Sequence, residues 1–453
     1  MVRWISALLL VMLLVAVLSA CGGGQVSTVF TETNSGLGTG GGASAPMPAA
    51  TAAPAAAARE AVEGAPIPAA PLPAADAVVG GAVPETAPAT SGAPAPNPGQ
   101  RTAPEAALRA GEINDNERFA EYLDYLARYQ WADVRPVDVR EHHLIRVLDR
   151  NQTPVLDARL TLFDGDQIVW RGRTYAGGQA LFLPELAAPS QSTTLRLVAE
   201  YDQARTETTL VRGESSRIEM GLADAAPLDA LRLDLLFLLD TTGSMGDELT
   251  RIQQTIDSIA ARIDSFTPRP SIRYGLVAYK DNNDGDEYVT FPVAFSEDLN
   301  SFRAALGRLS ASGGGDIPEA LDEAMYEAMV RMAWRDEPTV RLTFLVADAG
   351  PHVPGPSQFT YLDGVREAVA RGVKIYPIAA SNTDAQAEYV FRQLAQQTMG
   401  GFVFLTYQPG ADGGAPGEST PLEAGDQPYT VERLDDLIVT IVERELAAAV
   451  GVR

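Results

Sequence analysis

The run Leu233-Asp-Leu-Leu-Phe-Leu-Leu239 constrains the fold more than any other stretch of the chain. It is apolar apart from Asp234, too short to cross a bilayer, and too continuous for a strand with one wet face. Such a run has to be a strand covered on both sides, as in a parallel sheet between two layers of helices. Asp240, Thr241, Thr242, Gly243 and Ser244 follow at once, and then Leu249, Ile252, Ile256, Ile259 and Ile263 recur at helical spacing. A carboxylate and two hydroxyls are thereby set beyond the carboxyl end of a buried strand. In doubly wound sheets that is where ligands collect.

The remainder of residues 228–453 repeats the pattern. Further apolar strands are expected at 272–279, 342–347, 373–379 and 402–406, with an edge strand at 289–295. Helices are expected at 299–309, 318–333, 362–371, 386–397 and 430–450. The fold class is therefore α/β, a doubly wound, mostly parallel sheet. With its first and fourth strands adjacent, such a sheet brings Asp240, Thr242 and Ser244 to Asp348, which ends the run LTFLVAD. It also brings in the glycine loop Ser312-Gly-Gly-Gly-Asp316-Ile-Pro-Glu319. Two or three carboxylates with hydroxyls, and no His or Cys at the centre, suit Mg²⁺, Mn²⁺ or Ca²⁺ and not zinc. Because hydroxyl ligands are neutral, the ion keeps enough positive charge to accept one more carboxylate from outside.

The segments DTTGS, SGGGDIPE and VADAG resemble the three parts of a von Willebrand factor type A (VWA) domain with its metal-ion-dependent adhesion site, MIDAS. The family pattern D-x-[ST]-x-S falls on Asp240, Thr242 and Ser244, and the family's last aspartate falls on Asp348. In the commonest form a Thr after two glycines is a ligand; here that place goes to Gly315 or Asp316, and the GGGDxPE form implies Asp316. The resemblance implies a binding protein, not an enzyme, that holds a divalent cation, Mg²⁺ first, and captures a protein partner offering an acidic residue.

Two rivals share parts of the first segment. DTTGS is similar to the D-x-x-G-T of haloacid-dehalogenase-type phosphotransferases, in which Asp240 would carry a phosphoryl group. No late GD-x-x-x-D partner accompanies it. The aspartic-protease D-T-G-S is interrupted by an extra Thr and has no second copy. The acidic stretch 281–287 places glycine fifth instead of sixth and lacks a closing Glu, so it reads as a solvated turn and not as a calcium loop. His352, Tyr279 and Lys280 are placed at the rim of the site.

The amino-terminal quarter is of another kind. Arg3, an apolar stretch over 5–17, and Leu18-Ser-Ala-Cys21 resemble a bacterial lipoprotein signal peptide with its lipobox. Residues 1–20 are then the signal, and Cys21, the only cysteine among 453 residues, is the acylation (palmitate) site. Residues 21–112 are rich in Ala, Pro and Gly and read as a disordered tether, spanning on the order of 50 Å as a coil. Order is expected from Asn114, which with Glu117 suits a helix start. Residues 113–222 then read as a helix plus a small antiparallel β-sandwich that resembles the transthyretin-like or carboxypeptidase-regulatory-like family. His142 and His143 at its entrance read as a surface pair.

Of 35 basic and 59 acidic side chains, residues 1–112 hold four and seven, so about −21 of the formal −24 falls on the rest. That surface repels phosphate backbones and excludes nucleic acid as a partner. The chain is thus expected on a membrane through Cys21, on an extracytoplasmic face of the cell envelope. A structural envelope-assembly lipoprotein remains the alternative to adhesion.

Overall fold

The computed structural model describes residues 109–130, 133–282, 285–315, 317–380, 383–406 and 432–451. The expected signal peptide, Cys21, most of the expected tether and Asp316 lie outside them. Among the described residues no helix is long and apolar enough to cross a membrane.

In chain order the first half contains β1 (Arg109–Ile113), α1 (Phe119–Arg128), β2 (His143–Leu148), β3 (Arg159–Asp164), β4 (Gln167–Arg173), β5 (Gln179–Phe182), β6 (Thr194–Tyr201), β7 (Ala204–Val211) and β8 (Ser216–Gly221). The second half contains β9 (Arg232–Asp240), α2 (Gly246–Asp264), β10 (Ser271–Tyr279), β11 (Thr290–Ser296), α3 (Leu299–Leu306), α4 (Leu321–Tyr326), β12 (Val340–Ala347), α5 (Tyr361–Arg371), β13 (Val373–Ala379), α6 (Ala385–Gln397), β14 (Phe402–Thr406), β15 (Glu432–Arg433) and α7 (Leu434–Ala449).

The α/β expectation holds. One sheet runs β11-β10-β9-β12-β13-β14-β1-β15, and β9 pairs in parallel with both β10 and β12. β9 is the first strand of this half and β12 the fourth, so the chain leaves β9 on one side and returns on the other. Alternate residues of β9 enter two separate cores. Leu233, Leu235, Phe237 and Leu239 pack with Ile252, Ile256 and Ile259 of α2 and Ile441 of α7. Leu236 and Leu238 pack with Met325 of α4, Val365 of α5 and Leu394 of α6. Both faces are dry, which is why the sequence shows a continuous run instead of an alternating one.

Local signals set the helix ends. Thr360 and Asp363 close a reciprocal cap at the start of α5, and Gly372 ends it with φ 68°. The expected helix 318–333 is shorter: α4 begins at Leu321 and continues as a π-helical turn through Glu327–Arg331.

Four expectations for the amino-terminal half are corrected. The tether was to extend through residue 112, but Arg109–Ile113 is a strand, hydrogen-bonded antiparallel to β14 and β15. Asn114 and Glu117 bond each other at 3.0 Å in a turn, and the helix begins only at Phe119. That helix packs on α6, where Arg392 lies 3.8 Å from the Tyr125 ring centroid and Tyr129 meets Tyr389 at 4.4 Å. His143 is fully buried between Ser216 Oγ at 2.7 Å and Glu141 Oε1 at 3.0 Å, so only His142 remains partly exposed.

Strands β2 to β8 form two sheets, β5-β2-β8 and β4-β3-β6-β7. Trp170 of one faces Phe182 of the other at 5.3 Å. The pairing is antiparallel throughout except for β2 with β8, which run parallel. This half is not hung on a free linker. Asp157 receives Arg341 at the start of β12 through two bonds of 2.9 Å, both side chains 2% exposed, and Arg173 joins at 3.0 Å.

A buried ion pair that loses one partner leaves an uncompensated charge, at a cost of about 3–5 kcal/mol. Asp157→Asn, which tolerates the positive φ of 67° at this position, is expected to lower the urea-unfolding stability of the full chain by about 3 kcal/mol. A loss below about 1 kcal/mol would show that the junction is not held by this pair.

Candidate functional site

The crevice between β9 and β12 is the switch point of the sheet, and β9 ends there in Asp240, 1% exposed. Its Oδ1 accepts the backbone N–H of Thr242 at 2.9 Å and the Thr242 hydroxyl at 2.8 Å. Its Oδ2 is buried with no hydrogen-bond partner. The Thr242 and Ser244 hydroxyls stand 3.4 Å apart, and Ser244 hydrogen-bonds Asp348, just past the end of β12. Asp348, distant in sequence, is therefore brought to Asp240, Thr242 and Ser244. Asp316, expected to join them, lies outside the described residues.

The glycine loop closes the site from the β10 side. Gly243 N–H donates to Gly313 O at 3.1 Å and Ser312 N–H to Thr241 O at 3.1 Å. Gly313 and Gly314 have φ of 75° and 73°, and a Cβ on Gly313 would fall 1.7 Å from Asp286 Oδ1. Only glycine fits, on backbone and on space alike. Asp286 accepts the Gly314 N–H at 3.2 Å. Asp281, 2% exposed, meets His352 Nε2 at 2.7 Å. The acidic stretch 281–287 is thus not simply a solvated turn; two of its carboxylates hold the site's loops.

Tyr279 and Lys280 are not at the rim either, but buried beneath it. Lys280 Nζ donates to Thr241 O at 2.6 Å and to the carbonyl and hydroxyl of Ser312. Its backbone binds Val289 O and the Ala320 N–H. The reading of the sequence also missed Glu319, 4% exposed, whose Oε2 is another buried oxygen without a partner. An acidic residue between the glycine loop and an apolar helix was the available signal.

Burial dominates the electrostatics. It raises the Asp240 carboxyl to about 7, aided by the charge of Asp348 and opposed by the Thr242 bonds and Lys280. Burial, then the charges of Asp240, Asp281, Asp348 and Asp286, raise Glu319 to about 9. Asp348 is raised by burial and pulled down by Ser244. Two carboxyls with orphaned buried oxygens beside paired hydroxyls form a donor set for a hard cation. Among the described residues no three His, Cys, Asp or Glu side chains form a cage by themselves. An ion here would depend on the hydroxyls of Thr242 and Ser244.

The fold is a doubly wound sheet with carboxylates and hydroxyls at its switch point, and it lacks the Gly-rich phosphate turn of dinucleotide-binding sheets. Residues 234–408 match the family model of the von Willebrand factor type A domain, and this part of the chain is a VWA domain. The human von Willebrand factor A domain-containing protein 7 is 33% identical over 131 residues, covering 29% of this chain and 13% of that protein. The Dictyostelium discoideum alpha-protein kinase vwkA is 25% identical over 159 residues, covering 35% and 25%. Among solved structures, BatB from Bacteroides thetaiotaomicron aligns at 14% identity and TM-score 0.32, over 47% of this chain and 98% of that one. The chain spans 13% of the length of the first relatives it matches, so the likeness is one of a domain.

Because the folded state raises the Asp240 carboxyl from 3.8 to about 7, it holds that proton longer than the unfolded chain does. Below about pH 4 both states are protonated and the group is neutral toward stability; from there up to about pH 7 each step of pH favours unfolding. In chelator, Asp240→Asn is expected to match wild type near pH 4 and to exceed it by about 2 kcal/mol at pH 8. Parallel melting curves from pH 4 to 8 with no such divergence would contradict the dry carboxyl.

Proposed function

We propose that the chain is a lipid-anchored, extracytoplasmic binding protein whose VWA domain captures a protein partner through a divalent cation, Mg²⁺ first. VWA domains commonly mediate adhesion between proteins. The observation that carries the metal reading is the unpartnered, buried Asp240 Oδ2 beside the Thr242 and Ser244 hydroxyls. Asp240, Thr242, Ser244 and Asp348 would hold the cation, with Asp316 as the remaining candidate from the glycine loop. When bound, the cation supplies an open coordination position for an acidic side chain of the partner. The chain's own residues position it: the Lys280 ammonium pins the Thr241 turn to the Ser312 loop, and Asp286 fixes Gly314.

A phosphotransfer role for Asp240 is not favoured. Lys280, the nearby ammonium, is directed to carbonyl oxygens of the two loops, where it serves their geometry and not a phosphoryl group.

Immobilised full chain is expected to retain an envelope protein in Mg²⁺ and release it in EDTA, with Asp240→Ala abolishing retention. A partner set unchanged by EDTA and by Asp240→Ala defeats metal-dependent capture and favours the structural role in envelope assembly. Beryllofluoride is expected to leave Asp240 unmodified. The anchor is tested separately: labelled palmitate is expected to enter the wild-type chain and not Cys21→Ser, and equal labelling rules out Cys21 as the acylation site.

A further inference from the structure

Two serine–histidine pairs stand next to each other where β2 meets β8, and they differ in the direction their protons run. Ser216, the first residue of β8, lies opposite His143, the first of β2, in the parallel ladder. His143 Nδ1 is 2.7 Å from Ser216 Oγ, and its Nε2 is 3.0 Å from Glu141 Oε1. In the neighbouring pair His142 Nδ1 is 3.1 Å from Ser215 Oγ.

The carboxylate sets the proton order of the first pair. Glu141 Oε1 also accepts the Arg212 Nε–H at 2.8 Å and the Gly213 N–H at 3.0 Å. Burial works to raise its carboxyl, but those bonds, the His143 bond and the Arg212 charge hold it down at about 2. An ionised carboxylate only accepts, so His143 Nε2 carries the hydrogen. Burial lowers the His143 ring against the pull of Glu141, which keeps it neutral near pH 7 and leaves Nδ1 bare. The Ser216 hydroxyl therefore donates to Nδ1 and keeps its lone pairs free. In the second pair the Ser215 hydroxyl is committed to Arg140 O at 2.9 Å. His142 then donates to Ser215, which has no base.

A hydroxyl on a bare imidazole nitrogen, with the other ring nitrogen on a carboxylate, is the arrangement that activates serine for acyl transfer, and it is recognised by geometry and roles on any fold. Ser216 is partly exposed and opens on a cavity of about 760 Å³, lined also by Leu144, Leu181, Lys374 and Arg444. That is the size of a small-molecule site. Ser216 N–H bonds His142 O at 3.2 Å, so the next N–H, of Arg217, points off the free edge of β8. A donor beside the nucleophile is what a developing oxyanion needs.

We propose that Ser216 is the nucleophile, His143 its base and Glu141 the positioning residue of a hydrolase site for small carboxylic esters, separate from the crevice at β9. Ser216 Oγ bonds the acyl carbon while its proton passes to His143 Nδ1 and then to the departing alkoxy oxygen. Water next bonds the acyl carbon, its proton returns through the same nitrogen to Ser216 Oγ, and the acid leaves. Nothing is oxidised or reduced.

The test treats the full chain with a tagged fluorophosphonate and finds the modified residue by peptide mass spectrometry. Label is expected on Ser216 in the wild type and in Ser215→Ala, and nowhere in Ser216→Ala. p-Nitrophenyl acetate is expected to leave an acetyl group on Ser216 as p-nitrophenol is released. Glu141→Gln is expected to slow labelling about 10²–10⁴-fold. With three histidines in the chain, imidazole nitrogen shifts separate a tautomer effect from lost structure, and Glu141→Gln is expected to lose the Nε2–H form of His143. The serine variants leave Glu141 in place, so they remain decisive if Glu141→Gln melts early. A native chain that takes no label, or takes it on Ser215, overturns the proposal. So does a wild-type His143 protonated at Nδ1, or equal labelling of the heat-unfolded chain.

Discussion

Everything at the site depends on a carboxylate forced to be dry. β9 is apolar on both faces because helices cover both faces of the sheet, and Asp240 is its last residue. The carboxyl emerges where the strand ends but the layers have not yet opened to water. One oxygen is met by the turn that follows, through the Thr242 N–H and hydroxyl; the other meets nothing. The arrangement stores an unmet demand for positive charge. Neighbouring elements intensify the demand, since Glu319 and Asp348 add carboxyls while Lys280 is held away by loop carbonyls.

The second constraint lies at the opposite end of the sheet. Asp157 of the amino-terminal half and Arg341 of β12 bury a charge pair, and three carbonyls, of Arg335, Glu337 and Thr339, complete the guanidinium's bonds. Asp115 and Arg392 make a comparable pair under α1. Together with β1, which enters the α/β sheet directly, these contacts join the described residues into one compact unit. The segment that follows the expected tether is therefore tied straight into the binding domain, and the two small sheets are packed alongside it instead of strung between.

The α/β class and the strand and helix positions were legible in the sequence, for a local reason. A strand dry on both faces must be apolar throughout, a helix on such a sheet must repeat its apolar face, and a site at a strand's end must follow the run directly. Each requirement leaves a mark within a dozen residues. The expectations that failed depended on distant partners. Arg109–Ile113 is an unremarkable pentapeptide until β14 and β15 lie on either side of it. His143 shares its face of β2 with the buried Ile145 and Val147, and it sits there because Glu141 and Ser216 supply its two ring nitrogens with partners.

By itself the sequence singled out Asp240, Thr242, Ser244 and Asp348 as candidates, in an order that a doubly wound sheet brings to one place. Only the tertiary structure decided what surrounds them. Glu319 and Tyr279 enter the site, and Asp281 and Asp286 brace its loops, because β10, the glycine loop and the segment before α4 close over the end of β9. Hydrogen bonds such as Ala320 N–H to Lys280 O join residues forty positions apart. No periodicity records such a contact. The burial that raises the Asp240 carboxyl arises from the same closure, so the motif names the residues while packing sets their surroundings.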